Sequence, residues 1–357
     1  MTELYENMKP LRVGIIGAGL QARRRAPVFK EFRDTKLVMI AAAHLETARR
    51  LADTMGCKAT DDWKSVTGSD EIDVVLVCTP PNLHAPISIA AMENGKHVLC
   101  EKPLARTVEE AREIVDVARR NNVKLKCGFN HRHHPSIKQA KELFDKGVIG
   151  ELNFMRCRYG ICGRPGYEKE WRAKPEIAGG GHLMEQGIHG IDLFRWFAGE
   201  FSQAVGFVTT RYWDMAPLED NAFALFKTSR GQIASLHSSL TQWKNLFSFE
   251  VFGQEGYVRT NGLGGGYGTE RIAVGRRVFL EPFREEVTEF RGEDRSWHEE
   301  WKEFAASIRE DREPMANGRD GFEAMRLVLA VYESAAMNQV VDLAHFHHRT
   351  IRDGRAS

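Results

Sequence analysis

Lys102, in Glu101-Lys102-Pro103, directly follows His97-Val98-Leu99-Cys100, an apolar run that reads as a buried parallel strand. Ligands of open α/β sheets bind beyond the carboxyl ends of the strands. An ammonium group fixed there by a proline turn therefore points into a crevice, where it can donate hydrogen bonds to a reacting oxygen. The ordinary alternative is a solvated lysine in a connecting loop. A second set of chemistry-bearing residues lies in Gly179-Gly180-Gly181-His182-Leu183-Met184-Glu185-Gln186-Gly187-Ile188-His189-Gly190-Ile191-Asp192. In an α-helix, Glu185 and His189 share one face a turn apart and Asp192 follows three residues on, an arrangement that suits a base and its neighbours. A lone helical histidine is more often a satisfied structural residue. The carboxylate four residues earlier, and glycines that permit close approach, weigh the other way.

Gly14-Ile15-Ile16-Gly17-Ala18-Gly19-Leu20-Gln21-Ala22 leaves the first apolar run and opens a helix. Gly17 and Gly19 occupy the positions that need a tight turn and close approach to a pyrophosphate, and Ala22 stands for the third glycine. Thr79-Pro80-Pro81-Asn82-x-His84 follows another strand and offers a second loop at the same edge, so the two outline a dinucleotide crevice. The acid that would end the second strand and bind an adenosine 2′-hydroxyl is missing, because the chain reads Ala41-Ala42-Ala43-His44 there. Small residues, with Arg23, Arg24 or Arg49 in reach, tilt the reading from NAD toward NADP, although His44 serves an unphosphorylated ribose equally well.

The elements that position these groups follow from periodicity. Arg12–Ile16, Leu37–Ala42, Val74–Cys78, His97–Cys100 and Lys124–Phe129 read as strands alternating with helices, which predicts a doubly wound parallel sheet in residues 1–128. Thr107-x-x-Glu110 is a capping box for a helix carrying Ala111, Ile114, Val115 and Ala118. In residues 129–357 the period becomes two, at Phe223 and Leu225, Ile233 and Ser235, and Phe247, Phe249 and Val251. Ser229-Arg230-Gly231 marks a hairpin. The expected second unit is an α/β domain with a large open, mostly antiparallel sheet. It ends in helices at about 296–311 and 320–338, opened by Ser296-x-x-Glu299 and Asp320-x-x-Glu323. One face of such a sheet needs cover, so a homodimer or homotetramer is expected through it.

Composition narrows the function. With 357 residues, 42% of them hydrophobic, and a formal net charge of +1, the chain can bury two cores and shows no basic footprint for nucleic acid. It has no apolar run long enough for a bilayer and no signal-peptide pattern in residues 1–10, which makes the expected location cytoplasmic. Cys57, Cys78, Cys100, Cys127, Cys157 and Cys162 include no Cys-x-x-Cys pair and read as free, mostly buried thiols. His131, His133 and His134 lack acidic or thiol partners at ligand spacing, and His345, His347 and His348 lie in a charged tail, so no metal is expected. Gly262–Gly268 lacks the Lys-Ser/Thr of a phosphate-binding P-loop.

In order along the chain, Gly17-Ala18-Gly19-x-x-Ala22, Thr79-Pro80-Pro81-Asn82-x-His84, Glu101-Lys102-Pro103-Leu104, Gly128-Phe129-Asn130-x-Arg132, Trp171-Arg172 and the Gly179–Asp192 run resemble the glucose-fructose oxidoreductase, inositol dehydrogenase and rhizopine-catabolism family (Gfo/Idh/MocA) over nearly the whole length. The resemblance implies an NAD(P)-dependent redox reaction at a sugar, amino-sugar or cyclitol carbon. Catalysis would fall to Lys102 and His189. Gly17, Ala18, Gly19, Leu20, Gln21, His44, Thr79, Pro80, Asn82, His84, Glu101, Lys102 and Asn130 would form the cofactor site. Glu185 stands where members commonly carry Asp, so its catalytic or substrate-holding role follows only in part. Trp171, Arg172 and Arg164 lie in the irregular segment before the catalytic run and are substrate candidates. A nucleotide-sugar dehydrogenase and a non-catalytic dinucleotide-sensing regulator are the competing expectations.

Overall fold

The computed structural model describes residues 9–346. Six strands, β1 (Leu11–Ile16), β2 (Thr35–Ala41), β3 (Lys58–Thr60), β4 (Val74–Val77), β5 (His97–Cys100) and β6 (Leu125–Cys127), form a wholly parallel sheet in the order β3-β2-β1-β4-β5-β6. Helices α1 (Leu20–Arg25), α2 (Leu45–Met55), α3 (Lys64–Thr67), α4 (His84–Glu93) and α5 (Val108–Arg120) make the crossovers. Central strands covered on both faces require unbroken apolar runs, and Val13, Ile15, Val74, Val75 and Leu76 are at most 1% exposed. The strand order reverses between β1 and β4, which opens a crevice at their carboxyl ends. The edge strand β3, only three residues with one apolar member, carries no readable pattern. At α5 the Thr107 hydroxyl accepts the Glu110 N–H at 3.1 Å, as expected, but the Glu110 carboxylate turns to Arg106 instead of closing the box.

The second sheet has nine strands: β7 (Leu152–Cys162), β8 (Gln203–Thr209), β9 (Asn221–Lys227), β10 (Ile233–Ser239), β11 (Thr241–Gly253), β12 (Gly256–Asn261), β13 (Glu270–Arg276), β14 (Glu285–Phe290) and β15 (Val341–Asp342). Their order is β14-β13-β12-β11-β7-β10-β9-β8-β15, antiparallel except for the β7/β10 pair. Helices α6 (Pro135–Asp145), α7 (Pro175–Ala178), α8 (Ile188–Ala198), α9 (Ser296–Arg309) and α10 (Gly318–Met337) complete the fold. Both α8 and α10 pack on this sheet, and Ala222, Ala224 and Phe226 face the core. Phe223 and Leu225 therefore lie on the opposite face, where with Phe207 and Ile233 they are 46–69% exposed.

Both expected helix caps need correction. Ser296 is the first residue of α9; its N–H is taken by Asp294 at 2.9 Å and its hydroxyl accepts from Asn130 Nδ2 at 2.8 Å. Helix α10 begins earlier, capped by Asn317, which accepts the Asp320 N–H at 3.1 Å. That frees the Asp320 carboxylate to pair with Arg132 and Arg195. From α9, Trp301, Phe304 and Ala305 pack with Val13, Ile15 and Leu76, so residues beyond 129 close one side of the first sheet.

Candidate active site

A cleft of about 790 Å³ runs from the carboxyl ends of β1 and β4 to the segment before α8. At one end the Gly17 N–H donates to Ala41 C=O at 2.8 Å and Gly17 adopts φ +102°. A Cβ on Gly17 would meet Cys78 C=O at 2.5 Å, whereas one on Gly19 would meet nothing within 4 Å. One glycine thus closes the turn on β4 and the other keeps open space. Gln21 Oε1 and Thr79 Oγ1 are buried beside this turn with no hydrogen-bond partner in the protein. Buried polar atoms left this way call for a ligand or water, and an open glycine cradle next to them fits a dinucleotide.

Among the expected cofactor residues, Gly17, Ala18, Gly19, Leu20, Gln21, Thr79, Pro80, Glu101 and Lys102 line the cleft. His44, Asn82, His84 and Asn130 do not. His44 is an exposed residue immediately before α2. Asn82 is half-buried, Asn130 is spent on Ser296, and His84 is buried between two carbonyl groups. Ala42, Ala43, Arg23 and Arg24 form the far wall as expected, joined by Asp61 and Trp63, which sequence reading passed over. Asp61 follows the unread strand β3. The pairing of Ala41 with Thr60, and the Ala42 N–H to Thr60 C=O bond of 3.2 Å, set Asp61 beside Ala42.

At the other end Lys102, Glu185, Tyr167, Trp171, Arg172, Arg164, Gln186 and Tyr267 come together. The Lys102 ammonium donates to the main-chain carbonyl of Glu185. Its neighbour Glu101 is buried and accepts from Arg25 Nε at 2.6 Å, while Arg25 Nη1 reaches Glu300 of α9 at 2.5 Å, so the turn is anchored from behind. Burial lowers the Lys102 pKa, and the Glu185 and Glu101 carboxylates only partly oppose it. The Glu185 carboxylate accepts from Arg172 Nε at 2.6 Å and from the Tyr167 hydroxyl at 2.8 Å. Burial pulls that carboxyl up, but Arg172 and Lys102 outweigh it and hold it below its usual value. Arg172 also lies over the Trp171 ring, 4.4 Å from its centroid, and Arg164 pairs with Glu170 at 2.6 Å on the exposed side.

The expected α-helical face does not form. Leu183–Gly187 is a π-helical turn that passes into α8, and its wider winding breaks the four-residue alignment of Glu185 with His189. Gly187 permits this, since a Cβ there would crowd Leu183 and Ser238 at 2.9 Å. Glu185 turns toward Arg172. His189 turns inward, 2% exposed, beneath the cleft lining, with its ring stacked on His131 at 3.8 Å and edge-on to Phe129 at 5.8 Å. Burial, then the neighbouring His131 and Lys102, keep its pKa well below 6.5, and its Nδ1 has no partner. Asp192 belongs to the scaffold: it takes Arg132 Nε at 2.8 Å and Nη2 at 2.6 Å, with burial raising its pKa to about 6 against that cation.

Sequence reading also missed Glu219, which accepts the N–H groups of Leu183 at 2.8 Å and Gly181 at 3.0 Å and so holds the start of the π-helical turn; burial lifts its pKa to about 7. Tyr159 lies 3.0 Å from Gln186 and 3.2 Å from Tyr267, which the Gly262–Gly268 loop delivers to the cleft. Among the described residues no group of three or more His, Cys, Asp or Glu is placed to hold a metal. The His134 Nδ1 pairs with Glu270 at 3.0 Å, His345 is exposed, and His347 and His348 lie outside the described residues.

Residues 11–129 match the family described as "Oxidoreductase family, NAD-binding Rossmann fold", and residues 137–259 match "GFO/IDH/MocA C-terminal domain". Levoglucosan dehydrogenase of Pseudarthrobacter phenanthrenivorans is 31% identical over 71% of this chain and 74% of its own length. The 1,5-anhydro-D-fructose reductase of Ensifer adhaerens is 28% identical over 93% of this chain and 98% of its own. A solved structure of levoglucosan dehydrogenase in complex with NADH and levoglucosan superposes with a TM-score of 0.86 at 27% identity, over 94% of this chain and 99% of that one.

Proposed function

Because the chain belongs to the Gfo/Idh/MocA family of oxidoreductases with an NAD-binding Rossmann fold, we propose that its cleft carries out hydride transfer at a secondary alcohol or ketone carbon of a sugar, amino sugar or cyclitol, with Lys102 and His189 as its reacting side chains. The observation that carries this reading is Lys102, anchored by Glu101 and Arg25, in the same cleft wall as the Gly17–Gly19 cradle. NAD or NADP, when bound, supplies the hydride acceptor or donor at its nicotinamide. Lys102 then donates hydrogen bonds to the oxygen that gains charge as the alcohol is oxidised. His189, kept neutral by burial and by its cationic neighbour, takes the hydroxyl proton, and in reduction it returns it. Arg172, Trp171 and Tyr167 form the sugar wall. Glu185 holds Arg172 in place in this reading and takes no proton.

At the adenosine end, Asp61 provides the carboxylate that β2 lacks, which moves the preference from NADP toward NAD; Arg23 and Arg24 keep the phosphorylated cofactor admissible. The exposed Phe207, Phe223, Leu225 and Ile233 form one apolar patch on the open sheet, and its occupant in this reading is a second copy of the chain, giving a homodimer or homotetramer. The six free cysteines agree with a reducing, cytoplasmic location. No helix among the described residues is long and apolar enough to cross a membrane. Since the relatives carry dehydrogenase and reductase names, the non-catalytic sensor is set aside.

The test is an initial-rate screen, followed by nicotinamide absorbance, of NAD and NADP in both directions against polyols, aldoses, anhydrosugars, amino sugars and nucleotide sugars. Turnover with a pyranoside or cyclitol supports the reading. Turnover confined to nucleotide sugars replaces the substrate class, and tight cofactor binding without turnover on any member removes the reading.

A further inference from the structure

His84 is the first residue of α4 and 1% exposed, yet both of its ring nitrogens face carbonyl oxygens. Nδ1 lies 2.8 Å from Pro103 C=O and Nε2 lies 2.8 Å from Thr79 C=O. A carbonyl oxygen only accepts, and a neutral imidazole has one N–H. In the neutral ring, one of these two contacts would set lone pair against lone pair at hydrogen-bond distance. Both become hydrogen bonds only in the doubly protonated ring, where each is charge-assisted. We propose that His84 is held as an imidazolium and acts as a positioning residue, clamping the Thr79 loop of the dinucleotide end to the Lys102-Pro103 turn of the sugar end.

The surroundings set the balance. Burial is the largest influence and lowers the ring's pKa, with Lys102 acting in the same direction against the Thr79 and Pro103 carbonyls and the Glu101 carboxylate. What argues for the cation is the geometry, two acceptor oxygens each 2.8 Å from a ring nitrogen. Glu101 is itself shared with Arg25, and Arg25 with Glu300, so the clamp joins a buried alternation of charge running from α4 through the lysine turn to α9. Loss of the ring proton would release one carbonyl, and the two loops that hold cofactor and Lys102 would no longer be fixed to each other. The role thus rests on the reading of Lys102 given above.

Neutron diffraction from deuterium-exchanged crystals of the full-length wild-type protein near neutral pH reads the ring without any variant. Deuterium on both His84 nitrogens is expected; deuterium on one alone overturns the proposal. That result does not depend on turnover, so it fails separately from the assigned reaction. The kinetic arm is His84→Phe, a ring of similar size with no donor for either carbonyl. Its kcat should fall by roughly 10–100-fold with sugar KM little changed, because a displaced reacting group costs about that much. In the wild type, kcat should decline as pH rises through the His84 pKa, and the variant should lack that limb. A variant with wild-type kcat and the same limb overturns the positioning role.

Discussion

At the dinucleotide end of the cleft, Gly17, Ala18 and Gly19 offer main chain and empty space, whereas at the sugar end Glu185, Arg172 and Tyr167 hold one another through side chains, with Lys102 donating to the Glu185 main-chain carbonyl. A site made of main chain fails when a side chain intrudes. A site made of paired charges fails when one partner is removed, because the other is left desolvated. The two ends therefore should be separable by mutation, and each substitution that damages both would argue against the division.

The largest effect is expected from Lys102→Met, which should lower the hydride-transfer rate by about 10²–10⁴ while NADH titration shows an unchanged Kd. Gly17→Ala should do the opposite. A Cβ 2.5 Å from Cys78 C=O in a backbone with φ +102° should weaken dinucleotide binding by roughly 10–100-fold, and saturating cofactor should restore most of the rate. Glu185→Gln removes the carboxylate that orders Arg172, so sugar KM should rise about tenfold with cofactor Kd unaffected. Asp61→Ala should raise the kcat/KM for NADP relative to NAD by about fivefold, the worth of one ribose hydrogen bond, and leave sugar KM alone. An unchanged ratio would leave the missing acid of β2 without a replacement.

The smallest expected signal is in pH. A base whose folded-state pKa lies well below 6.5 stays neutral as pH falls through 6.5, so kcat/KM for sugar oxidation should show no acid limb centred there and should fall only at lower pH. A limb centred near 6.5 would indicate a solvated imidazole.

The same contrast explains what the sequence disclosed. The central parallel strands were legible because burial on both faces leaves unbroken Val-Ile-Leu runs, and the glycine turn was legible because a pyrophosphate imposes residue types at fixed spacing. Lys102 followed from its position after β5. The sugar end was less readable. The π-helical turn at Leu183–Gly187 shifts the register that periodicity assumes, so Glu185 and His189 part company. The partners of Glu185 lie 13 and 18 residues away in an irregular segment with no period to follow. Asp61 was hidden behind β3, a strand too short and polar to announce itself. Ser296 and Asp320 misled because capping residues two or three positions earlier, Asp294 and Asn317, already satisfied those N–H groups. His84, grouped with the cofactor residues by its motif, turned out to hold two loops together.

The measurement that bears most directly on the whole account is single-turnover hydride transfer by His189→Ala, with saturating NAD and the sugar identified by the substrate screen. Transfer slowed by about 10²–10⁴, with both ligands still bound, is the predicted result. A rate equal to that of the wild type would show that the buried imidazole takes no proton from the substrate.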